Sequence, residues 1–308
     1  MVKTLGGKIA KLAAVLLAVL LVLGVSFAFV GCETKRPVIS VRITFNENTY
    51  ELEYELYRNM YPQTVAHYLE LIDMDYFDGT VIHDYQSNRM VGGSYEDKGQ
   101  DFSQNDLEAD DYAAVLKDYD AATKDENGNV TLENVSVWAD ENKETAYNTL
   151  YGEFSANGFT VENNGLTNRL GAIGTYYYTP IRTTGDAPRV WVQLNSDNSM
   201  DTRPYSYNSA TSMFYLYTGS SGTDSNYCTF GLLKDSDDAE TFQQLLDDIE
   251  EYTLETLNEG DESGTEIFTT EKQVTIEDRY WIEDTYEDVT FNIPRAKIVI
   301  EEMRVVKY

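Results

Sequence analysis

On either side of a short polar turn at Asn46–Asn48, the chain alternates apolar and polar residues, and this two-residue period constrains the fold more than any other feature. The first run is "VISVRITF" and the second "TYELEYELY". In the second, Tyr50, Leu52, Tyr54 and Leu56 share one face, while Glu51, Glu53 and Glu55 share the other. Successive side chains of a strand point to opposite sides, so such a hairpin must bury one face and wet the other. With 308 residues and 42% hydrophobic content, there is material for one substantial core, or one core with large insertions.

Pro62 suits the first position of a helix, where its missing N–H costs nothing. Val65, Tyr68, Leu69 and Ile72 follow at helical spacing, which predicts an amphipathic helix over residues 62–73. "YFDGT" then turns the chain into a strand, "VIHDY". Residues 95–148 are acidic and weak in core pattern. Within them "DENGNVTLENV" fails as a calcium loop: aligning Gly128 with the invariant glycine puts Thr123 and Asn134 where acids are required. A hairpin turning at Asn127–Gly128 is expected instead. Further strands are expected in "LGAIGTYYY" (170–178), "SMFYLYTG" (212–219) and "YCTFGLL" (227–233). A polar loop, 179–211, separates the first two and holds Arg182, Arg189, Trp191 and Arg203. Asp237 with Glu240 has capping-box spacing and opens a second helix. Phe242, Leu245, Leu246 and Ile249 form its apolar stripe, and Gly260 offers a stop. "AKIVIEEMRVV" closes the chain as a strand. Many strands with two isolated helices indicate a β-barrel or sandwich with helical caps.

The first 31 residues are organised differently. Lys3, Lys8 and Lys11 precede an almost wholly apolar run, Leu12–Val30, which ends in "FVGC" at Cys32. This reads as an export signal over residues 1–31, with an uncleaved anchor helix as the rival. "FVGC" also resembles the bacterial lipobox, which would make Cys32 the lipid-bearing first residue of the mature protein and 32–37 a tether. Either way the lysines stay in the cytoplasm and the remainder lies at the outer face of the cytoplasmic membrane. Removal of residues 1–31 takes three lysines and no acid, so the formal charge of -30 becomes -33. Such a surface argues against nucleic acid and against direct adhesion to anionic lipid. With Cys32 lipidated, Cys228 has no disulfide partner, and two histidines, His67 and His83, beside one thiol make a zinc site unexpected. No cofactor is expected.

"YELEYELYRNMYPQTVAHYLELIDMDYFDGTVIH" resembles the opening of the cyclophilin-type peptidyl-prolyl isomerases. There a strand leads to a proline-initiated helix and then to a "Y-D-G-T-x-F-H-R" segment. Gly92 and Gly93 resemble that family's "Q-G-G", and "YGEFSANG" and "NRLGAIG" its next landmarks. "NSATSMFYLYTG" is similar to its "N-S-A-T-S-Q-F-F-I", and "NYCTFG" to its "K-Y-T-V-F-G". The resemblance implies a closed eight-stranded antiparallel β-barrel with two capping helices, built from residues 38–308. Acidic insertions would lie at about 95–150, 176–207 and 256–293, and the substrate groove on the outer wall.

Rotation about an X–Pro bond meets a barrier of ~18–20 kcal/mol from amide delocalisation, and lowering it requires no covalent chemistry. By the resemblance, an arginine beside the histidine donates a hydrogen bond toward the prolyl nitrogen, a glutamine before the paired glycines holds a substrate carbonyl, and aromatic residues form a proline pocket. In this chain the arginine position is Asp84, and the two glutamine positions are Val91 and Met213. An ionised aspartate accepts hydrogen bonds but cannot donate one. The alternative for Asp84 is a shifted strand that turns it to water. The substrate-binding positions are then His83, Met90, Val91, Met213, Phe214, Tyr215 and Tyr227, with Arg89 a possible substitute donor. Arg182, Arg189 and Arg203 are weaker candidates for that role. His83 is expected to be a partly buried structural residue, and His67 a helix-face residue without a role.

Two functions follow. One is an exported, membrane-anchored prolyl isomerase of weakened catalysis that helps exported proteins fold. The other is a non-catalytic proline-peptide clamp on the same scaffold. A solute-binding lipoprotein would need a two-lobed α/β pattern, which is absent.

Overall fold

The computed structural model describes residues 34–93, 95–96, 137–144, 150–153, 165–176, 189–193, 199–204, 208–210, 212–222, 227–258, 267–278 and 285–308. The export segment with Cys32, the turn at Asn127–Gly128, Arg182 and Gly260 lie outside the described residues, as does the side chain of Arg203. The chain divides into two compact units, residues 1–34 with Tyr308 and residues 35–307. In the first, the Thr34 N–H donates to the Tyr308 carbonyl at 3.1 Å. The elements below belong to the second.

The opening hairpin forms as its alternation demands. Strand β1 (Val38–Phe45) pairs antiparallel with β2 (Asn48–Leu56) across the two-residue turn Asn46–Glu47. Both turn residues have positive φ, 46° and 68°, the mirror-image turn geometry that matches strand twist. Tyr50, Leu52, Tyr54 and Leu56 are buried as one face. Helix α1 (Pro62–Asp73) follows, with Pro62 in its first turn. After it come the short strands β3 (Thr80–Val81), β4 (Asp84–Gln86), β5 (Arg89–Gly92) and β6 (Tyr95–Glu96).

Beyond these lie β7 (Val137–Trp138), β8 (Leu150–Tyr151), β9 (Asn168–Arg169), β10 (Ile173–Thr175), β11 (Arg189–Gln193), β12 (Met200–Pro204) and β13 (Asn208–Ala210). Then come β14 (Phe214–Tyr217), β15 (Ser221–Gly222) and β16 (Thr229–Leu233). Helix α2 (Ser236–Tyr252) runs into a π-helical turn, Thr253–Leu257. The chain ends with β17 (Thr269–Asp278), β18 (Thr285–Pro294) and β19 (Ile298–Lys307).

The main sheet has ten strands among the described residues, rather than eight, in the order β4-β5-β14-β10-β16-β2-β1-β19-β3-β6. Every pairing in it is antiparallel. Strands β3 and β4 are separated only by Ile82 and His83, yet they stand near opposite ends of that order. The sheet therefore curls until both ends reach one stretch of chain. Its concave contents are Ile39, Val41, Ile43 and Phe45 of β1, the tyrosine–leucine face of β2, and Ile298, Ile300 and Met303 of β19. Helix α1 adds Val65, Tyr68, Leu69 and Ile72 to the same core; α2 adds Phe242, Leu245 and Ile249. Tyr68 stacks on Phe230 at 4.4 Å, and Phe77 meets Phe214 edge-on at 5.6 Å.

The cap of the second helix differs from the sequence expectation. Helix α2 is capped by Asp235, whose carboxylate accepts from the Asp237 and Asp238 N–H groups at 3.0 and 3.2 Å. Asp238 completes the box, so Asp237 with Glu240 is not the capping pair. The segments expected as insertions at about 95–150 and 176–207 meet: β7 pairs with β11, setting Trp138 opposite Trp191, and β12 completes a three-stranded sheet. The third inserted region contains the β17–β18 hairpin, ten residues on each side, whose base delivers Phe291 and Ile293 to the main core.

Candidate functional site

The "VIHDYQSNRMVGG" segment folds as the β4–β5 hairpin, with Asp84 opposite Val91 and Gln86 opposite Arg89. Strand β14 lies on its other side, with Tyr215 opposite Val91, Leu216 opposite Met90 and Phe214 opposite Gly92. Because side chains alternate along each strand, this register sorts the residues onto two faces. Asp84, Gln86, Arg89, Val91 and Tyr215 share one. Tyr85, Met90, Phe214 and Leu216 share the other. The single lining expected from Met90, Val91, Phe214, Tyr215 and Tyr227 is thus divided, with Met90 and Phe214 turned toward Phe77 and the core.

Glycines make the arrangement possible. A Cβ on Gly174 of β10 would stand 2.3 Å from the Tyr215 ring, so only glycine lets that ring lie across β10. Gly93 has φ +88°, and a Cβ there would meet the Ser212 carbonyl at 2.3 Å. Tyr215 crosses Gly174 to a buried polar trio. Its hydroxyl lies 2.9 Å from Asn168 Oδ1 and 2.8 Å from Thr229 Oγ1, and Thr229 Oγ1 is 2.6 Å from the same Asn168 oxygen.

Around Tyr215 stands an aromatic cluster closed by a cation. Tyr176 and Tyr227 stack with centroids 5.3 Å apart and planes 3° from parallel, and Tyr227 meets Tyr215 edge-on at 6.1 Å. The Arg89 guanidinium carbon lies 5.0 Å from the Tyr227 centroid, 5.1 Å from that of Tyr215 and 6.0 Å from that of Tyr176. This is cation–π range for all three rings. Arg89 Nε also donates to Asn88 Oδ1 at 3.2 Å. Burial holds the Tyr176 and Tyr215 hydroxyls well above the usual phenol range, so both stay protonated and neutral.

Asp84 is fully buried, which disposes of a water-facing position. Its Oδ1 accepts the backbone N–H of Asn292 at 2.8 Å and that residue's amide Nδ2 at 3.4 Å. Its Oδ2 accepts Gln86 Nε2 at 2.7 Å, and the same nitrogen donates to the Tyr176 hydroxyl at 2.9 Å. A continuous polar path therefore runs from Asn292 of β18, through Asp84 and Gln86, to the aromatic cluster. Neither Gln86, Tyr176 nor Asn292 was singled out from the sequence. Gln86 was findable as the residue two positions beyond Asp84 on one strand face. Asn292 carries no local signal.

Val91 is fully buried and Met213 is 2% exposed, the latter offering its carbonyl to the Tyr68 hydroxyl and to the Tyr176 N–H. Arg89 and Tyr227 are half-buried. His83 is fully rather than partly buried, between Tyr95 at 4.8 Å and Phe291 at 5.2 Å, and burial pushes its pKa down to about 3. His67 is also buried, edge-on to Tyr68. Arg189 lies in β11 and donates to the Thr202 carbonyl and hydroxyl at 2.7 and 2.9 Å. Cys228 is a free buried thiol with its pKa raised by burial and by Glu153. No group of three or more potential metal ligands occurs among the described residues.

A family model described as cyclophilin type peptidyl-prolyl cis-trans isomerase/CLD matches residues 40–179. Comparison with curated proteins gives no match. Among solved structures, the chain is similar to a cyclophilin type peptidyl-prolyl cis-trans isomerase of Cryptosporidium parvum, at 13% identity and TM-score 0.37, covering 89% of this chain and 99% of that one. The Mimivirus cyclophilin matches at 11% identity and TM-score 0.37, covering 90% and 93%. The Cryptosporidium protein in the presence of the dipeptide Ala-Pro matches at 14% identity and TM-score 0.35, covering 87% and 99%.

Proposed function

We propose, from the match of residues 40–179 to the cyclophilin-type family model, that the chain is an exported, membrane-anchored, peptidyl-prolyl isomerase-like protein that binds X-Pro segments of exported proteins and turns them over slowly. Uncatalysed isomerisation takes tens to hundreds of seconds, slow enough for even weak assistance to matter after secretion. Anchoring at Cys32, with an uncleaved helix as the alternative, rests on the basic and apolar pattern of residues 1–32. The curled sheet is taken as the family's closed eight-stranded barrel with short added strands, because β3 and β4 are consecutive in the chain.

One observation carries the functional reading. At the family's arginine position stands a carboxylate, Asp84, whose two oxygens already accept hydrogen bonds from Asn292 and Gln86. A carboxylate so engaged supplies no donor to a prolyl nitrogen. The nearby cation on the same strand face is Arg89, held against tyrosine rings. Loss of one charge-assisted bond in the transition state removes ~1.5–3 kcal/mol, roughly ten- to a hundred-fold in rate.

The purified chain is therefore expected to catalyse isomerisation of an Ala-Pro peptide ten- to a hundred-fold below a cyclophilin that retains the arginine, measured side by side. Equal rates would overturn the weakened-catalysis reading. The non-catalytic clamp is the second reading, favoured by the half-buried Arg89 and Tyr227, which leave a cation and an aromatic ring partly open beside Asp84. It would be established by peptide binding in a chemical-shift titration without exchange broadening between cis and trans resonances.

A further inference from the structure

The polar path that ends in the aromatic cluster begins on the chain's own last hairpin. Strand β18 approaches β4 with the backbone N–H of Asn292 aimed away from its partner strand and into Asp84. That is the bond an extended peptide would make. Asn292 is half-buried there, its neighbours Phe291, Ile293 and Pro294 are buried, and the stretch "FNIP" ends in an X-Pro pair, Ile293–Pro294. An extended segment with a proline is the chemistry that the groove is proposed to accept. The contact also falls on the strand face shared by Asp84, Gln86, Arg89 and Tyr215, not on the core face.

The base of the hairpin is fixed separately. Phe291 packs on His83 at 5.2 Å and on Tyr95 at 6.1 Å, and Phe268 packs on Tyr85 at 5.3 Å and on Phe45 at 5.9 Å. These contacts seat the base of β17 and β18 independently of the Asn292–Asp84 bond. Gln86 transmits the state of that bond, since a single nitrogen serves both Asp84 and Tyr176.

We infer that the Asn292 backbone of β18 is a built-in occupant of one end of the groove, latched on Asp84, and that an incoming X-Pro peptide binds by displacing that contact. This rests on the proposed binding of X-Pro segments. It assigns Asp84 a role as docking point for the chain's own peptide, in place of the donor that it cannot be.

The test uses the full chain and an Ala-Pro peptide, with backbone amide exchange followed by NMR at Asn292 and in α2. Added peptide should speed exchange of the Asn292 amide about tenfold at saturation while α2 is unchanged. The Asp84→Ala variant, which removes the acceptor, should free the same amide without ligand and lower the peptide's Kd several-fold. Peptide binding that leaves Asn292 fully protected would overturn the inference. So would an Asp84→Ala protein with a freed amide and an unchanged Kd. If Asp84→Ala exposes the α2 amides, the variant has unfolded and the titration of the native chain decides alone. If neither protein binds peptide although the amide is freed, the X-Pro reading itself fails and the inference with it. The two failures are thus distinguishable.

Discussion

At the scale of single residues, the sequence drew attention to Asp84 but carried no sign of what holds it. Asp84 stood out because a carboxylate occupies a place where the resemblance implies a donor. Its partner Asn292 lies 208 residues further along, and no period or motif links the two. His83 was legible as structural, but its degree of burial was not, because that depends on Phe291 arriving from a distant hairpin. The pH consequence can be worked out. The buried imidazole has a pKa of about 3, against 6.5 for an exposed one. Between those values the unfolded chain takes up a proton that the folded chain refuses, so stability is lost as pH falls below 6.5. Denaturant titrations from pH 7 to pH 5 should show His83→Phe losing less stability than the native chain, by ~1.4 kcal/mol per pH unit below that point. Parallel curves for the two proteins would mean that His83 is not the acid-sensitive group.

Helices read well where their signals were local. Proline at the start and the apolar stripe predicted residues 62–73, the span that forms. Helix α2 was read two residues late because "KDSDDAE" offers two overlapping boxes, and only Asp235 takes the extended φ of -146° and ψ of -170° that a cap requires. The start of α1 shows the limit of local reading. Tyr61 provides no side-chain cap; Glu153, 2% exposed, instead reaches in to accept the Gln63 and Thr64 N–H groups at 3.3 and 2.8 Å. A buried carboxylate on a helix N-terminus satisfies orphan donors and meets the positive end of the dipole. Glu153→Ala should therefore cost ~2 kcal/mol and lower the thermal midpoint by several degrees, with Glu153→Gln losing about half as much. A scanning-calorimetry midpoint unchanged in both would show that the cap is redundant. The strands of the inserted regions gave little signal. Among the described side chains of the β17–β18 ribbon, the buried hydrophobic ones are Phe291 and Ile293 at its base.

Across the whole molecule, the alternation in β1 and β2 and the apolar runs near β10, β14 and β16 indicated a β-barrel or sandwich with two helices, and the antiparallel barrel was implied by the resemblance. What they could not announce was which insertion meets which. The β7–β11 pairing joins segments more than fifty residues apart whose partners are specified only once the body has folded. The formal charge of -30 is equally legible, and it acts on the molecule as a unit. Like charges repel within the compact state, and salt shortens the range of that repulsion from about 30 Å at 0.01 M to about 8 Å at 0.15 M. Raising sodium chloride across that interval should lift the thermal midpoint by a few degrees, whereas a fall would show that exposed ion pairs such as Arg304–Asp78 at 2.9 Å outweigh net repulsion. Size also alters how the "FNIP" contact behaves. Because β18 is covalently joined to the strand it touches, its local abundance beside Asp84 is set by chain length and geometry, and dilution does not lower it. A client segment arriving from solution enjoys no such constancy. On the proposed reading, occupancy by an X-Pro peptide therefore follows its free concentration, and the chain's own segment returns to Asp84 when that concentration falls.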